Sequence, residues 1–180
     1  GERWPSMAFP ELYLARLNED GSMDTSFGEG GVSVLGGSAG ANRILSRSGG
    51  GYLLVNQSAF DESLQVYATL PTGQLDPSFG NGGVATIEAK EWPVLGFLQL
   101  DDDRILVAGG VANGAIEQLA VWCLEPDGRL DTDFADNGVF LLPGMGRATA
   151  LSPDGDGVLV AGFVFNRNTG TDVALLRLLP

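Results

Sequence analysis

The segment from Asp20 to Val32, DGSMDTSFGEGGV, returns twice more in this chain of 180 residues. It recurs as TGQLDPSFGNGGV from Thr72 and as DGRLDTDFADNGV from Asp127, and we call it the repeat phrase. Its central aspartates, Asp24, Asp76 and Asp131, are 52 and 55 residues apart. A period near 50 residues is typical of propellers and related arrays, so the phrase decides the architecture before any single residue is interpreted.

Four short apolar segments accompany each copy of the phrase, and each has the length of a strand rather than a helix. They are rich in Val, Ile, Leu and aromatic residues, and turn residues bound them. The four sets are 32–35, 84–88 and 139–142; 41–46, 94–100 and 147–152; 52–56, 104–108 and 158–161; and 64–70, 119–125 and 173–179, with a counterpart at 12–18. No long stretch has helical apolar spacing, which argues against an α-helical repeat.

Four strands per unit predict an all-β fold made of β-propeller blades, each of four antiparallel strands. We expect one domain over 1–180, with repeats at approximately 12–63, 64–118 and 119–172 and a terminal strand at 173–180. About three blades plus one extra strand are too few to close a ring, which usually needs 4–8 blades. We therefore expect a piece of a longer propeller, two copies joined head to tail, or an open array capped by its ends. The missing initial Met favours the first two.

The residues of the phrase have expected structural roles. Asp24 and its two equivalents suit the cap of a single helical turn, and Pro77 directly after Asp76 supports this because proline favours the first helical position. The phenylalanine three residues later is expected to plug the space between neighbouring sheets, at Phe27, Phe79 and Phe134. The glycine pairs that follow let the chain bend into the next strand.

The unit LxRLNxDGSxDTSFGxGGV, followed by a second strand and then ILVAG, resembles the delta-60 repeat of bacterial, propeller-like proteins. It is carried by Leu14–Val32, by Leu75–Val84 with Ile105–Gly109, and by Leu130–Val139 with Val158–Gly162. The first copy departs from the pattern at 54–57, and the third departs at Ala135-Asp136-Asn137. The resemblance covers residues from about 12 to 180 and implies a propeller fold, but it brings no catalytic motif.

Composition limits the partners. Twenty-three acidic and 10 basic residues give a net charge of −13, which argues against nucleic acid, whose phosphates need a positive surface. No apolar run approaches the roughly 18 residues that span a bilayer, so we expect no membrane insertion. Cys123 and Trp122 alternate within one predicted strand, which favours a buried structural thiol and an indole packed between sheets.

Candidate chemistry is limited to carboxylates and a few aromatic rings. The chain contains no histidine, which removes Ser-His-Asp and Cys-His catalysis and the usual zinc sites. Asp101, Asp102 and Asp103 could together hold a hard cation such as calcium. The other repeats have plain turns at this place, which favours an exposed hairpin tip, and no other cofactor is expected. Trp92, in the connection after a charged run, is the candidate contact residue for a ligand.

These features favour a non-catalytic β-propeller interaction module that presents loops to a protein or glycan partner, because each blade contributes equivalent loops to one face. Two alternatives stay open: a hydrolase that uses acidic residues or a bound divalent cation, and a purely structural segment of a larger surface protein. We also expect a homo-oligomer, or completion by another propeller segment.

Overall fold

The computed structural model describes residues 11–36, 43–57, 63–88, 94–113, 116–166 and 168–179. These residues form strands and turns without any helix. The strands are β1 (Leu12–Ala15), β2 (Val32–Gly36), β3 (Arg43–Ser46), β4 (Tyr52–Gln57), β5 (Leu64–Ala68), β6 (Val84–Ile87), β7 (Gly96–Gln99), β8 (Ile105–Asn113), β9 (Ile116–Leu124), β10 (Val139–Leu141), β11 (Met145–Asp154), β12 (Gly157–Asn166) and β13 (Gly170–Leu178). Each predicted segment contains or overlaps an observed strand, although residues 41–42 lie outside the described part and β8, β9 and β11 to β13 extend beyond the predicted bounds.

The strands form four antiparallel sheets in chain order. Sheet 1 contains β1 and β2, sheet 2 contains β3 to β6, sheet 3 contains β7 to β10, and sheet 4 contains β11 to β13. Each neighbouring pair is antiparallel, as expected of hairpins joined by short turns. The protein is therefore built of β-propeller blades, two of them with four strands, and the described residues do not close a ring.

No helix in the described part of the chain has the length and apolar character needed to cross a membrane.

The sheets pack face to face through three buried clusters. Successive side chains of a strand point to opposite faces of its sheet, so they pack against different neighbouring sheets. In β9, Leu119 and Val121 pack in the cluster with sheet 4, whereas Ala120 and Trp122 pack in the cluster with sheet 2. Trp122 is 4% exposed, so the prediction that its indole packs between sheets is confirmed.

The phenylalanine of the phrase lies where two sheets meet. Phe27 and Phe79 are fully buried. The Phe27 ring covers Gly73 so closely that a Cβ there would lie 2.7 Å from a ring carbon, and Phe79 covers Gly128 with a corresponding 2.9 Å. Only glycine fits under each ring, which explains the glycine turn that begins the second and third copies of the phrase; Gly21 of the first copy has open space around it and a positive φ of 82°.

A backbone hydrogen bond accompanies each ring. Gly28 N–H donates to the carbonyl of Thr72 over 2.8 Å, and Gly80 N–H donates to the carbonyl of Asp127 over 2.7 Å. The phrase of one sheet is thus tied to the phrase of the next by one apolar and one polar contact. We call this pair of contacts the corner.

The third phrase keeps the backbone of the other two despite its different residues. Ala135 has φ of 47° where Gly28 has 54°, and Asn137 has φ of 49° where Gly30 has 62°. Asn tolerates this left-handed region, whereas Ala is strained there by about 1–2 kcal/mol. The turn geometry is therefore imposed by its surroundings rather than by local preference.

The corner predicts the cost of removing its ring. Phe79→Ala should lower the free energy of unfolding by about 3–5 kcal/mol, because it leaves a cavity at a fully buried position. Urea unfolding followed by tryptophan fluorescence measures this value. Val173→Ala, at an 88% exposed position, is the control and should change it by no more than about 0.5 kcal/mol. Equal effects of the two substitutions would contradict the corner.

Candidate functional site

Each phrase holds an aspartate that caps a single turn. Oδ1 of Asp24, Asp76 and Asp131 accepts the backbone N–H two residues on, from Ser26 at 3.0 Å, Ser78 at 3.0 Å and Asp133 at 3.1 Å. The turn closes when the N–H of the phenylalanine donates to the carbonyl of the same aspartate, at 3.0 to 3.1 Å. The predicted capping role is confirmed, and it aims the ring into the corner.

The second carboxylate oxygen of each capping aspartate accepts from an arginine. Arg16 Nε lies 2.7 Å from Asp24, Arg47 Nη1 lies 2.5 Å from Asp76, and Arg104 Nη1 lies 3.0 Å from Asp131. The arginines of the first two pairs also lie over the phenylalanine rings, with 4.7 Å from the Arg16 Cζ to the Phe27 centroid and 5.8 Å from Arg47 Cζ to the Phe79 centroid. The ion pair and the ring therefore form one unit.

The arginine comes from two different places in the fold. In sheet 1 it is Arg16, just after β1, whose carbonyl accepts the N–H of Asp24. The residues that accept the same bond in sheets 2 and 3 are Ala68 and Cys123. There the guanidinium instead enters from the turn between the first two strands of the sheet, as Arg47 or Arg104. The small side chains leave room for the incoming arginine.

These contacts set the charge states. Hydrogen bonds from Ser78 and Arg47 hold the pKa of Asp76 below its ordinary value. Burial opposes ionisation of Asp131, but Arg104 and the N–H of Asp133 outweigh it and lower its pKa. The pKa of Arg104 is raised, chiefly by its hydrogen bond to Asp102. The carboxyl groups of Asp76 and Asp131 are therefore ionised at neutral pH.

Cys123 lies beside the third pair. Its thiol is buried and donates to Asp131 Oδ2 over 3.6 Å. Burial raises its pKa to about 12, so the reactive thiolate is scarce at neutral pH. The prediction of a buried structural thiol is confirmed.

Two polar clefts open between the turns of adjacent sheets. The first, of about 270 Å³, lies between sheets 2 and 3 and is lined in part by Arg47, Ser48, Asp76, Gln99 and Asp103. Across it, Ser48 N–H donates to Gln99 Oε1 at 3.1 Å and the Ser48 hydroxyl donates to Asp103. The second, of about 260 Å³, lies between sheets 3 and 4 and is lined in part by Asp101, Asp102, Arg104, Pro153 and Asp156.

The three adjacent carboxylates occupy a hairpin tip between β7 and β8, and they have different partners. Asp102 forms an ion pair with Arg104 at 2.8 Å, Asp103 accepts from Ser48 and Gln99, and Asp101 is exposed. In the part of the chain that the structure describes, no three acidic or cysteine side chains are grouped as a metal site would require. The turn brings the residues together without directing them to a common ion.

Trp92, the predicted contact residue, lies outside the described residues.

The arginine partners are what the sequence interpretation missed. One signal existed: Arg47 precedes Asp76 by 29 residues and Arg104 precedes Asp131 by 27. The first pair breaks this pattern, because Arg16 precedes Asp24 by only 8 residues. Aligning the three repeats by the phrase alone therefore does not place the three arginines at equivalent positions.

A family model matches part of the chain. Residues 1–27 and 100–134 match a family described as "Domain of unknown function (DUF5122) beta-propeller". These segments include the first phrase as far as Phe27 and the third as far as Phe134. No curated protein matches the chain significantly. The family match and the antiparallel sheets agree on a β-propeller-like repeat.

The cap predicts a specific acid sensitivity. Folding lowers the pKa of Asp76 below its unfolded value of about 4. The ionised carboxylate therefore stabilises the folded state above about pH 4, and this stabilisation is lost as the pH falls through the lower pKa of the folded state. Asp76→Asn should cost about 1–3 kcal/mol of unfolding free energy at pH 7, and the difference from wild type should shrink in acid. Urea unfolding from pH 7 to pH 3 measures both effects.

Glu29→Gln is the control for this experiment, since it removes one exposed negative charge from the same kind of loop. It should leave the stability at pH 7 within about 0.5 kcal/mol of wild type. A constant difference between Asp76→Asn and wild type across the whole pH range would contradict the ionised cap.

Proposed function

We propose that this β-propeller segment is a non-catalytic interaction module that presents one edge of its sheets to a protein or glycan partner. We further infer that its repeats are of the delta-60 kind, on the strength of the repeat phrase. One observation carries the functional proposal. At one edge of the sheets the arginines are all paired with aspartates, and a surplus of acidic side chains is left exposed there.

That edge consists of the turns and connections at 16–31, 47–51, 69–83, 100–104, 125–138 and 154–157, and we call it the loop edge. It gathers equivalent loops from all four sheets, because alternate connections of an antiparallel sheet lie at the same end. Its loops hold fifteen acidic residues and four arginines. Each of the four arginines is already paired with an aspartate.

The surplus negative charge favours a partner that brings cationic or hydrogen-bond donor groups. A basic protein segment fits the charge, and a glycan fits the carboxylate acceptors. Charges of this kind act mainly on encounter rate and selectivity, and salt screens them over about 8–10 Å. The proposal therefore implies binding that weakens as ionic strength rises.

The hydrolase alternative receives less support. A carboxyl general acid works best with a raised pKa near the operating pH. Every aspartate with a shifted pKa among the described residues is shifted downward, namely Asp20, Asp24, Asp76, Asp102, Asp131 and Asp156. Ionised carboxylates held by arginine and serine suit a scaffold better than proton transfer.

The proposal is tested by screening the chain against glycan and peptide arrays, with native mass spectrometry to measure each complex. We expect at least one ligand whose affinity falls about tenfold or more in the variant Asp101→Asn, Asp133→Asn, Asp136→Asn, because these exposed carboxylates lie on the loop edge. The matched control, Glu11→Gln, Glu88→Gln, Asp172→Asn, removes three charges away from that edge and should stay within about twofold.

The outcomes separate the three functions. Binding that both triple variants weaken equally would contradict the loop edge as the contact surface. The absence of any ligand from either array would favour a structural segment. New hydrolysis products among the array ligands would favour the hydrolase.

A further inference from the structure

Two of the repeat phrases contain an asparagine that is followed directly by glycine. They are the second phrase, with Asn81-Gly82, and the third, with Asn137-Gly138. Asparagine is a thermolabile residue, and the backbone nitrogen of a following glycine can reach its side chain easily because glycine has no Cβ to hinder the approach. Both asparagines are exposed, so solvent reaches the two side-chain amides alike.

The two pairs occupy different positions in the turn of the phrase. Asn81 corresponds to Asp136, and Gly82 corresponds to Asn137, so the third phrase has its amide one residue later. The nitrogen that can attack Asn81 is therefore that of Gly82, whereas the nitrogen that can attack Asn137 is that of Gly138. This offset of one residue places the two nitrogens in different surroundings.

The attacking nitrogen is protected in the third phrase and unprotected in the second. Gly138 is buried, and its N–H donates to the carbonyl of Phe134 over 2.8 Å. Gly82 is exposed, and its N–H has no acceptor among the described residues. The nitrogen must lose its proton before it attacks, and a buried, hydrogen-bonded N–H reaches base only when the structure opens locally. The fold therefore protects Asn137 and leaves Asn81 open to attack.

The side-chain amides differ in the same sense. Asn137 Nδ2 donates to Asp136 Oδ1 over 3.3 Å. The side chain of Asn81 makes no hydrogen bond with the described part of the chain. Ring closure requires the side chain to rotate until its Cγ meets the glycine nitrogen, and only the third phrase holds its amide against that rotation.

We propose that Asn81 is a site of spontaneous deamidation, with water as the only co-reactant, and that the fold protects Asn137 from the same reaction. The Gly82 nitrogen forms a bond to Cγ of Asn81 and the Cγ–Nδ2 bond breaks. The side-chain amide leaves as ammonia, which carries the proton that the Gly82 nitrogen gave up. The proposal goes beyond the function assigned to the loop edge and does not depend on it.

Water then opens the resulting five-membered succinimide at one of its two carbonyl carbons. Attack at Cγ breaks the bond from Cγ to the Gly82 nitrogen and gives aspartate. Attack at the main-chain carbonyl carbon of position 81 breaks the peptide bond to Gly82 and gives isoaspartate, whose main chain runs through Cβ and Cγ. No electrons are transferred in either branch, and each adds one negative charge to the loop edge.

Isoaspartate at position 81 has a structural consequence, because its main chain is one carbon longer. Asn81 N–H donates to the carbonyl of Val84 over 2.8 Å in the turn that leads into β6. Gly80, directly before it, makes the cross-sheet hydrogen bond of the second corner. The longer main chain no longer fits this turn, so the isoaspartate form has a weaker corner between sheets 2 and 3.

The aspartate form keeps the length of the main chain. The first phrase has Glu29 at the position of Asn81, and Glu29 N–H makes the equivalent bond to the carbonyl of Val32 over 2.7 Å. An acidic side chain at this position is therefore compatible with the turn, and the two products differ in their effect on the corner.

The rates are measured by ageing the chain in mildly alkaline buffer, digesting samples at acidic pH and assigning each site by peptide mass spectrometry. We expect deamidation at Asn81 to be about tenfold or more faster than at Asn137, a ratio that corresponds to about 1.4 kcal/mol, the scale of one hydrogen bond. Site assignment keeps these rates separate from that of Asn113-Gly114, whose glycine lies outside the described residues.

The same measurement in guanidinium chloride separates the effect of the fold from that of the sequence. Unfolding removes the hydrogen bond of Gly138 and exposes both glycine nitrogens. Since Asn81 and Asn137 each precede a glycine, their rates should become similar in the unfolded chain.

The variant Gly82→Asn gives the second phrase the arrangement of the third. A Cβ at this position meets no atom within 4 Å, and asparagine tolerates the φ of 64° found there. The introduced amide precedes Gly83, which is buried and donates to the carbonyl of Phe79 over 2.8 Å. Attack on Asn81 then comes from a hindered nitrogen, so both amides should deamidate about tenfold or more slowly than Asn81 of the wild type.

The effect on the corner is measured by amide hydrogen exchange of the isoaspartate form, purified by chromatography from the aged chain. Exchange at the N–H of Gly80 should be faster than in the unaged wild type, because its turn is altered. Asn81→Asp is the matched control, since it adds the same charge without lengthening the main chain, and it should leave exchange at Gly80 unchanged.

Three results would overturn the proposal. The first is an equal rate of deamidation at Asn81 and Asn137 in the folded chain. The second is a difference between them that persists in guanidinium chloride, which would assign it to the sequence rather than the fold. The third is unchanged exchange at Gly80 in the isoaspartate form, which would remove the effect on the corner.

Discussion

The fold depends on one buried contact, which the phenylalanines of the first two phrases make with the glycine turn of the next sheet. A ring that is fully enclosed between two sheets fixes both their separation and their register, because interiors are close-packed and tolerate little change in volume. The capping aspartate holds the turn that aims the ring, and an arginine neutralises the aspartate. Apolar packing, backbone hydrogen bonding and charge pairing therefore meet at the repeat phrase, which explains why this stretch recurs while the strands around it vary.

The ion pair shows how one physical requirement is met by different residues. An ionised, largely buried aspartate needs a cation, since an unpaired charge in a low-dielectric interior is costly. In sheet 1 this cation is Arg16, which lies at the end of β1. In sheets 2 and 3 the position of Arg16 is occupied by Ala68 and Cys123. There the cation is Arg47 or Arg104, which comes from a turn. The internal charges are balanced in each case. The net charge of the loop edge consequently comes from exposed carboxylates, which are available to a partner without weakening the scaffold.

Much of this architecture could be predicted from the sequence, and the reasons are local. Strand positions follow from short apolar runs between glycine turns, and the cap at Asp76 follows from an aspartate before proline. The burial of Phe79 follows from its recurrence in the phrase. The arginine partners could not be predicted, because each pair joins segments whose separation in sequence changes from sheet to sheet. The clefts also could not be predicted, because they depend on how closely the turns of neighbouring sheets approach one another. Ser48 and Asp103, which meet across such a cleft, belong to different sheets, and no local sequence pattern indicates that they are close.

The third phrase provides a comparison within the same molecule, because it makes no complete corner among the described residues. Phe134 has no glycine turn against its ring among the described residues, and Ala135 N–H has no backbone acceptor there, whereas Gly28 and Gly80 donate across sheets. Amide hydrogen exchange, measured residue by residue in the native state, tests the corner most directly. The account predicts slow exchange at the N–H groups of Gly28 and Gly80, which are bonded across sheets, and fast exchange at Ala135. Exchange at Gly28 and Gly80 that is as fast as at Ala135 would contradict it.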